Sequence, residues 1–230
     1  REGTHGNRPD WFSKKSCLNS FLYACVAGAN HINKIYFLHD GPEGELYDYI
    51  LDCPMLTKPN IVKINEGNYV GSQKCAYELA RSFDDGHDLY FVEDDYLHLI
   101  DSVDFIGLAL RQFDLLSPYD HVSRYDPIKY TGKNDEPYEL KIVYKPELWH
   151  HWRTNESACH TFAITNKCFH DNYSLVSHPN SMQHDQNFFN TMRRLANVET
   201  WTPIPALASQ VDEYMSPGIN WREINAGYAQ

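Results

Sequence analysis

Asp88-Leu89-Tyr90-Phe91-Val92-Glu93-Asp94-Asp95 is the stretch on which the fold turns. Its run of apolar and aromatic residues reads as a short buried strand, and three carboxylates follow at once. The same kind of run occurs twice upstream. Lys34–Leu38 is a short strand that ends in the turn signal His39-Asp40-Gly41-Pro42, and Ile61–Ile64 is another. Between them fall helix stripes. Leu18, Phe21, Leu22 and Cys25 recur at helical spacing within residues 9–27. Leu46, Tyr49 and Ile50 mark a short helix, Ala76, Leu79, Ala80 and Phe83 a longer one, and Ile106, Ala109, Leu110 and Phe113 a fourth. Strands alternating with helices predict βαβ units, hence an α/β fold with a mostly parallel sheet flanked by helices. Ligands of such sheets bind beyond the carboxyl ends of the strands. Asp40 and the Glu93–Asp95 cluster both stand at such ends.

The second half is less regular. Residues 117–155 are rich in Pro, Tyr, Asp and Lys and carry the aromatic-basic run Trp149-His150-His151-Trp152-Arg153. Strand-like stretches are Leu140–Tyr144 and His160–Thr165. A helix is expected after Pro179-Asn180-Ser181, with Ser181 as N-cap and Phe188, Met192 and Leu195 as its apolar stripe. Residues beyond Pro203 read as a tail on the surface.

A chain of 230 residues can bury one substantial core. A net charge of −11 without any block of Lys or Arg argues against a nucleic-acid-binding surface. None of the six cysteines forms a C-x-x-C pair, which predicts reduced core thiols and a cytoplasmic protein. No run approaches the ~18 apolar residues of a membrane span, and no signal peptide is evident.

Three adjacent carboxylates repel one another at neutral pH, and a bound divalent cation is the simplest relief. Mg²⁺ or Mn²⁺ takes oxygen ligands, commonly one or two carboxylates completed by substrate phosphates. Such a metal would act as a Lewis acid on a leaving diphosphate. The plain alternative is a solvated acidic turn that caps the next helix.

Several pieces in order resemble the GT-A-fold glycosyltransferases of the family 2 type. They are Asn7-Arg8-Pro9 before a helix, His39-Asp40-Gly41, the turn and helix from Asn65 to Ala80 carrying Lys74, the strand ending in Glu93-Asp94-Asp95, and His184-Asp185 opening a late helix. The resemblance covers most of residues 7–196. It implies a single GT-A-like domain, with residues 1–116 as the nucleotide-binding half and 117–230 as the acceptor-binding half and tail. It implies transfer of a hexose from a nucleotide-diphosphate sugar, with UDP as the common donor nucleotide, to an acceptor hydroxyl. By that likeness Arg8 belongs to the donor-binding loop, Asp40 contacts the base or ribose, and Lys74 sits near the nucleotide or its phosphates. Glu93 and Asp94 lie along the ribose and diphosphate, and Asp95 ligates the Mn²⁺ or Mg²⁺. Asp185 becomes the general base, with inversion at the anomeric carbon. The chain departs from the pattern at His39, Lys74, Glu93 and His184, and the opening strand of that fold is short or absent ahead of Arg8.

Other residues stay open between two readings. Asp185 in a first helical turn also suits the helix dipole without any catalytic role. Trp149 and Trp152 suit either sugar stacking or packing. Asp212-Glu213-Tyr214 and Gln210 belong either to a segment that closes the site or to a surface tail. The rival functions are a sugar-nucleotide nucleotidyltransferase and a non-catalytic sugar- or protein-binding module.

Overall fold

A computed structural model describes residues 8–56, 58–83, 86–125, 140–155 and 158–229, with Ser123 and Asp185 described by backbone only. Asn7 of the opening loop therefore lies outside the described residues, as does the side chain of Asp185.

The elements run in the order α1 (Lys14–Ala27), β1 (Tyr36–Asp40), α2 (Glu45–Asp52), β2 (Asn60–Ile64), α3 (Tyr69–Arg81), β3 (Leu89–Phe91), β4 (Tyr96–His98), α4 (Ser102–Ala109) and β5 (Leu115–Leu116). Then come β6 (Ile142–Lys145), β7 (His150–Asn155), β8 (Phe162–Ile164), α5 (Asn166–Asp171), α6 (Tyr173–Val176), α7 (Pro179–Gln183), α8 (Asp185–Ala196), β9 (Thr200–Ile204), β10 (Ala208–Gln210) and α9 (Trp221–Tyr228). Every strand and helix expected in the first half exists, with ends shifted by a few residues. Ser13 starts α1 five residues into the expected span, because its side chain caps the Ser16 amide and the Pro9 segment stays outside the helix.

The architecture is mixed α/β, and its main sheet is mostly antiparallel, which corrects the mostly parallel expectation. Six strands are ordered β3-β8-β5-β9-β7-β6, and only the β5–β9 pair is parallel. The βαβ reading holds where it was drawn most directly, since β1 and β2 pair in parallel across α2. It fails at β3, which leaves the β1–β2 pair as a sheet of its own and pairs antiparallel with β8 from the second half of the chain. The β6–β7 hairpin and β9 then extend the sheet with further antiparallel neighbours. A separate antiparallel pair joins β4 to β10.

The alternation along β8 places the two faces of the sheet. Phe162 and Ile164 enter a core with Tyr77, Phe169, Phe188 and Met192, while Ala163 faces Ile106, Phe113, Leu116 and Trp152. Helices α3 and α5 to α8 thus cover one face and α4 the other. Each large side chain buried this way contributes about 1.5–3 kcal/mol of transfer free energy. At the junction of α1 and α4, a Cβ on Gly28 would stand 2.8 Å from the Asp104 backbone nitrogen, so only glycine allows that approach.

Three further expectations change. Ser181 lies inside α7, and His184 stands at the N-cap of α8. Leu195 is exposed, and the buried stripe is Phe188, Phe189 and Met192. The residues after Pro203 are no plain tail: they supply the end of β9, then β10 and α9, and Val211 and Trp221 pack with Cys17 and Leu97. Among the described residues no helix is long and apolar enough to cross a membrane. All six cysteines are free thiols.

Candidate functional site

The acidic turn links β3 to β4 and is held from both ends of the chain. The backbone amide of Glu93 donates to Thr161 Oγ1 at 3.0 Å, which anchors the turn beside β8. From the C-terminal side, the Val211 amide donates to the Asp95 carbonyl at 2.9 Å. Gln210 Nε2 donates to Asp95 Oδ2 at 3.1 Å, and Cys159 Sγ contacts Gln210 Oε1 at 3.7 Å. Residues 210 and 211 therefore pack on the turn and are no plain surface tail.

From the N-terminal side come two cations. Arg8 places Nη2 at 2.5 Å from Asp95 Oδ2 and Nη1 at 2.5 Å from the Val211 carbonyl. Its guanidinium lies over the Phe12 ring at 4.8 Å, a cation–π contact that fixes its plane. Lys14, the first residue of α1, reaches Asp94 Oδ2 at 2.5 Å. Asp95 is buried, whereas the Asp94 side chain is 59% exposed. The two pairs differ accordingly, since solvent screens the second far more than the first.

Asp212 accepts from the Tyr214 amide at 2.6 Å. Burial raises its carboxyl above the usual range, and the nearby Asp95 and Glu213 charges add to that shift. Burial likewise raises the Cys17 thiol, with Asp95 and Asp94 pushing the same way.

Not every residue singled out in the sequence joins this cluster. Asp40 ends β1 and clasps the turn before α3. Its carboxylate accepts from the Glu66 amide at 2.9 Å, the Gly67 amide at 3.0 Å and Ser72 Oγ at 2.5 Å. Gly67 adopts φ 63, a left-handed turn conformation that glycine takes without strain. The Ser72 hydroxyl is the main cause of a lowered Asp40 pKa; burial opposes it, and the Gly67 and Glu66 amides lower it further. Lys74 lies on an exposed face of α3, 3.7 Å from Glu78. Asp185 opens α8.

Trp152 and Trp149 part company. Trp152 is fully buried against Phe113 at 5.2 Å, so its role is packing. Trp149 is 78% exposed, with φ 54.

Sequence reasoning missed Lys14 as a partner of Asp94, because a lysine in a first helical turn carries no signal of what it faces. It also missed a cavity of ≈ 180 Å³ between α3 and β3, bordered by Tyr69, Gln73, Tyr77, Phe91, Glu93 and His160. Gln73 Nε2 donates to Tyr77 Oη at 2.7 Å and contacts the His160 ring, while Gln73 Oε1 is buried without a hydrogen-bond partner. Of these residues the sequence reading singled out Glu93, as part of the acidic turn, and placed His160 at the start of a strand-like stretch.

The donor set for a divalent cation can be judged at Asp95. Its Oδ1 is buried without a hydrogen-bond partner, but Oδ2 already accepts from Arg8 and Gln210. Asp94 is engaged by Lys14. Among the described residues no group of three or more His, Cys, Asp or Glu side chains stands ready to hold a metal. In this arrangement the residues do not fit a resident divalent cation, since the oxygens it needs are held by basic side chains.

No protein-family model matches the chain, and none of the curated proteins matches it. Among solved structures, HddC from Yersinia pseudotuberculosis is similar over 98% of this chain and 91% of its own, at a TM-score of 0.47 and 14% identity.

Proposed function

We propose that the chain is a glycosyltransferase of GT-A type that moves a hexose from a nucleotide-diphosphate sugar, with UDP as the first nucleotide to test, to an acceptor hydroxyl. One observation carries the reading: an acidic turn at the end of β3 is clasped by Arg8 and Lys14 on one side and by Gln210 and Val211 on the other. Cationic side chains and strong acceptors thus meet in one turn, the charge-assisted chemistry that suits a phosphate-bearing ligand. The ordered resemblance of residues 7–196 to family 2 transferases supports it further. The cavity below Glu93 adds aromatic walls and an unpartnered buried acceptor, Gln73 Oε1, both suited to a planar, hydrogen-bond-donating ring.

In this reading Arg8, Glu93 and Asp94 belong to the donor side, with Asp40 and Lys74 as its outer members. Asp185 is the general base for the acceptor hydroxyl, with inversion as the stereochemical outcome. Dependence on Mn²⁺ or Mg²⁺ belongs to the same proposal only in a state where Arg8 has left Asp95, which would then be the ligand.

A thermal-shift screen with nucleotide sugars, run with and without Mn²⁺, tests the reading. Ligand that binds the native state raises the melting temperature by mass action. A chain that no nucleoside diphosphate or nucleotide sugar stabilises under either condition is not this transferase. Stabilisation by a nucleoside triphosphate together with a sugar phosphate would favour the nucleotidyltransferase. Asp185→Asn should keep donor binding and lose transfer; retained transfer would remove the base assignment.

A further inference from the structure

We propose that Arg8 is the resident counter-cation of Asp95, and that a divalent cation binds the acidic turn only by displacing it. The inference concerns the turn used in the transferase reading, but it stands on contacts within the chain and needs no donor.

The turn brings three carboxylates together, and the fold supplies two basic side chains to them, Arg8 to Asp95 and Lys14 to Asp94. A cation arriving from solvent meets a turn with most of its charge already compensated. The two pairs are not equivalent. Lys14 and Asp94 are both well exposed, so their contact is screened and opens readily. Arg8 is held at three points, by Asp95, by the Val211 carbonyl and by the Phe12 ring, while Gln210 donates to the same Asp95 oxygen. It occupies Oδ2 of a carboxylate whose other oxygen is buried and unpartnered. Oδ1 is shut off from solvent, so an arriving ion meets Asp95 at Oδ2, where Arg8 and Gln210 already take both lone pairs. A metal ion gains that oxygen only when the guanidinium leaves it, so the two states exclude each other. With Arg8 in place the turn presents a cation to an anionic ligand. With Arg8 displaced it presents carboxylates to a metal. The carbonyl of Val211 is freed in the same movement, which couples the choice to the segment packed on the turn.

Direct Mn²⁺ titration, read by the electron paramagnetic resonance signal of free Mn²⁺, tests this on the protein without donor. Wild type should bind Mn²⁺ weakly. Arg8→Ala should bind it at least tenfold more tightly, Arg8→Lys should remain close to wild type, and Arg8→Ala/Asp95→Asn should lose the gain. Equal affinity of wild type and Arg8→Ala would overturn the proposal, as would a gain that survives loss of the Asp95 carboxylate. Should Arg8→Ala fail to fold, the wild type still decides. Saturating Mg²⁺ should erase the slowly exchanging guanidinium signal of Arg8 in ¹⁵N spectra, and an unchanged signal at saturation overturns the proposal. A parallel titration with UDP separates the two readings: no UDP binding with or without Mn²⁺ removes the donor reading and leaves the Mn²⁺ comparison to judge Arg8.

Discussion

Arg8 and Asp95 are 87 residues apart in the chain and meet at 2.5 Å, with the Val211 carbonyl on the other arm of the same guanidinium. This one side chain joins the N-terminal loop, the acidic turn and the C-terminal segment. The pair is partly buried, 22% and 9% exposed by side chain, so its worth lies between that of a surface bridge and a buried one. Either Arg8→Ala or Asp95→Asn should cost about 1–3 kcal/mol in urea unfolding, because each leaves a partner without its counter-charge. The double variant should lose less than the two singles together, by about 1 kcal/mol or more. Strict additivity would show that the two residues do not support each other.

Asp40 holds a turn together before it does anything else. Asp40→Ala removes the acceptor for the Glu66 and Gly67 amides and for Ser72, so exchange of those two amides should quicken and stability should fall by about 1 kcal/mol. The pH dependence has a definite sign. A carboxyl whose folded pKa is lowered contributes stability above its unfolded pKa and loses it as pH falls through the folded value. The acid limb below about pH 4 should therefore be shallower in Asp40→Asn than in wild type. Unchanged amide exchange in Asp40→Ala would rule out the clasp.

Legibility followed the range of the interactions. The strand Leu89–Phe91, the parallel pair of β1 and β2, and the acidic turn were readable because each depends on residues close in sequence. The partners of that turn were not, since Arg8 and Gln210 reach Asp95 from 87 and 115 residues away. The direction of the main sheet was lost for the same reason. Phe162–Ile164 shows its apolar face in sequence, but nothing local says that it runs antiparallel to both β3 and β5. Leu195 continued a helical stripe with Phe188 and Met192, yet Phe189 took the buried position because the α8 face is set by its neighbours.

Trp149 and Trp152 offer a paired contrast within one short run. Trp152→Ala should cost about 3–5 kcal/mol, since it empties a fully buried site beside Phe113. Trp149→Gly should hold or raise stability by up to about 1 kcal/mol, because an exposed residue at φ 54 gains from losing its Cβ. Chemical denaturation of the two variants separates them. A large loss in Trp149→Gly would mean that the exposed ring is covered by something in the folded protein.

His98 should make stability fall in mild acid. The ring is fully buried on β4, hydrogen-bonded to Tyr90 Oη at 2.7 Å and packed on Phe21 at 5.3 Å. Burial pushes its pKa down to about 4, so the folded state resists a proton that the unfolded chain accepts near 6.5. Between those values the unfolded chain binds more protons, and stability must decline as pH falls from 6.5 towards 4. The slope is on the order of 1 kcal/mol per pH unit for one such group. His121 is lowered to about 4 as well, chiefly by burial and then by Arg124, and adds to the same window. Urea midpoints measured at half-unit steps should therefore drop steadily through this range in wild type. In His98→Gln the slope should be about half as steep, whatever its absolute stability, and His98→Gln/His121→Gln should be nearly flat there. An unaltered slope in the double variant would place the acid sensitivity in carboxylates instead of these two rings.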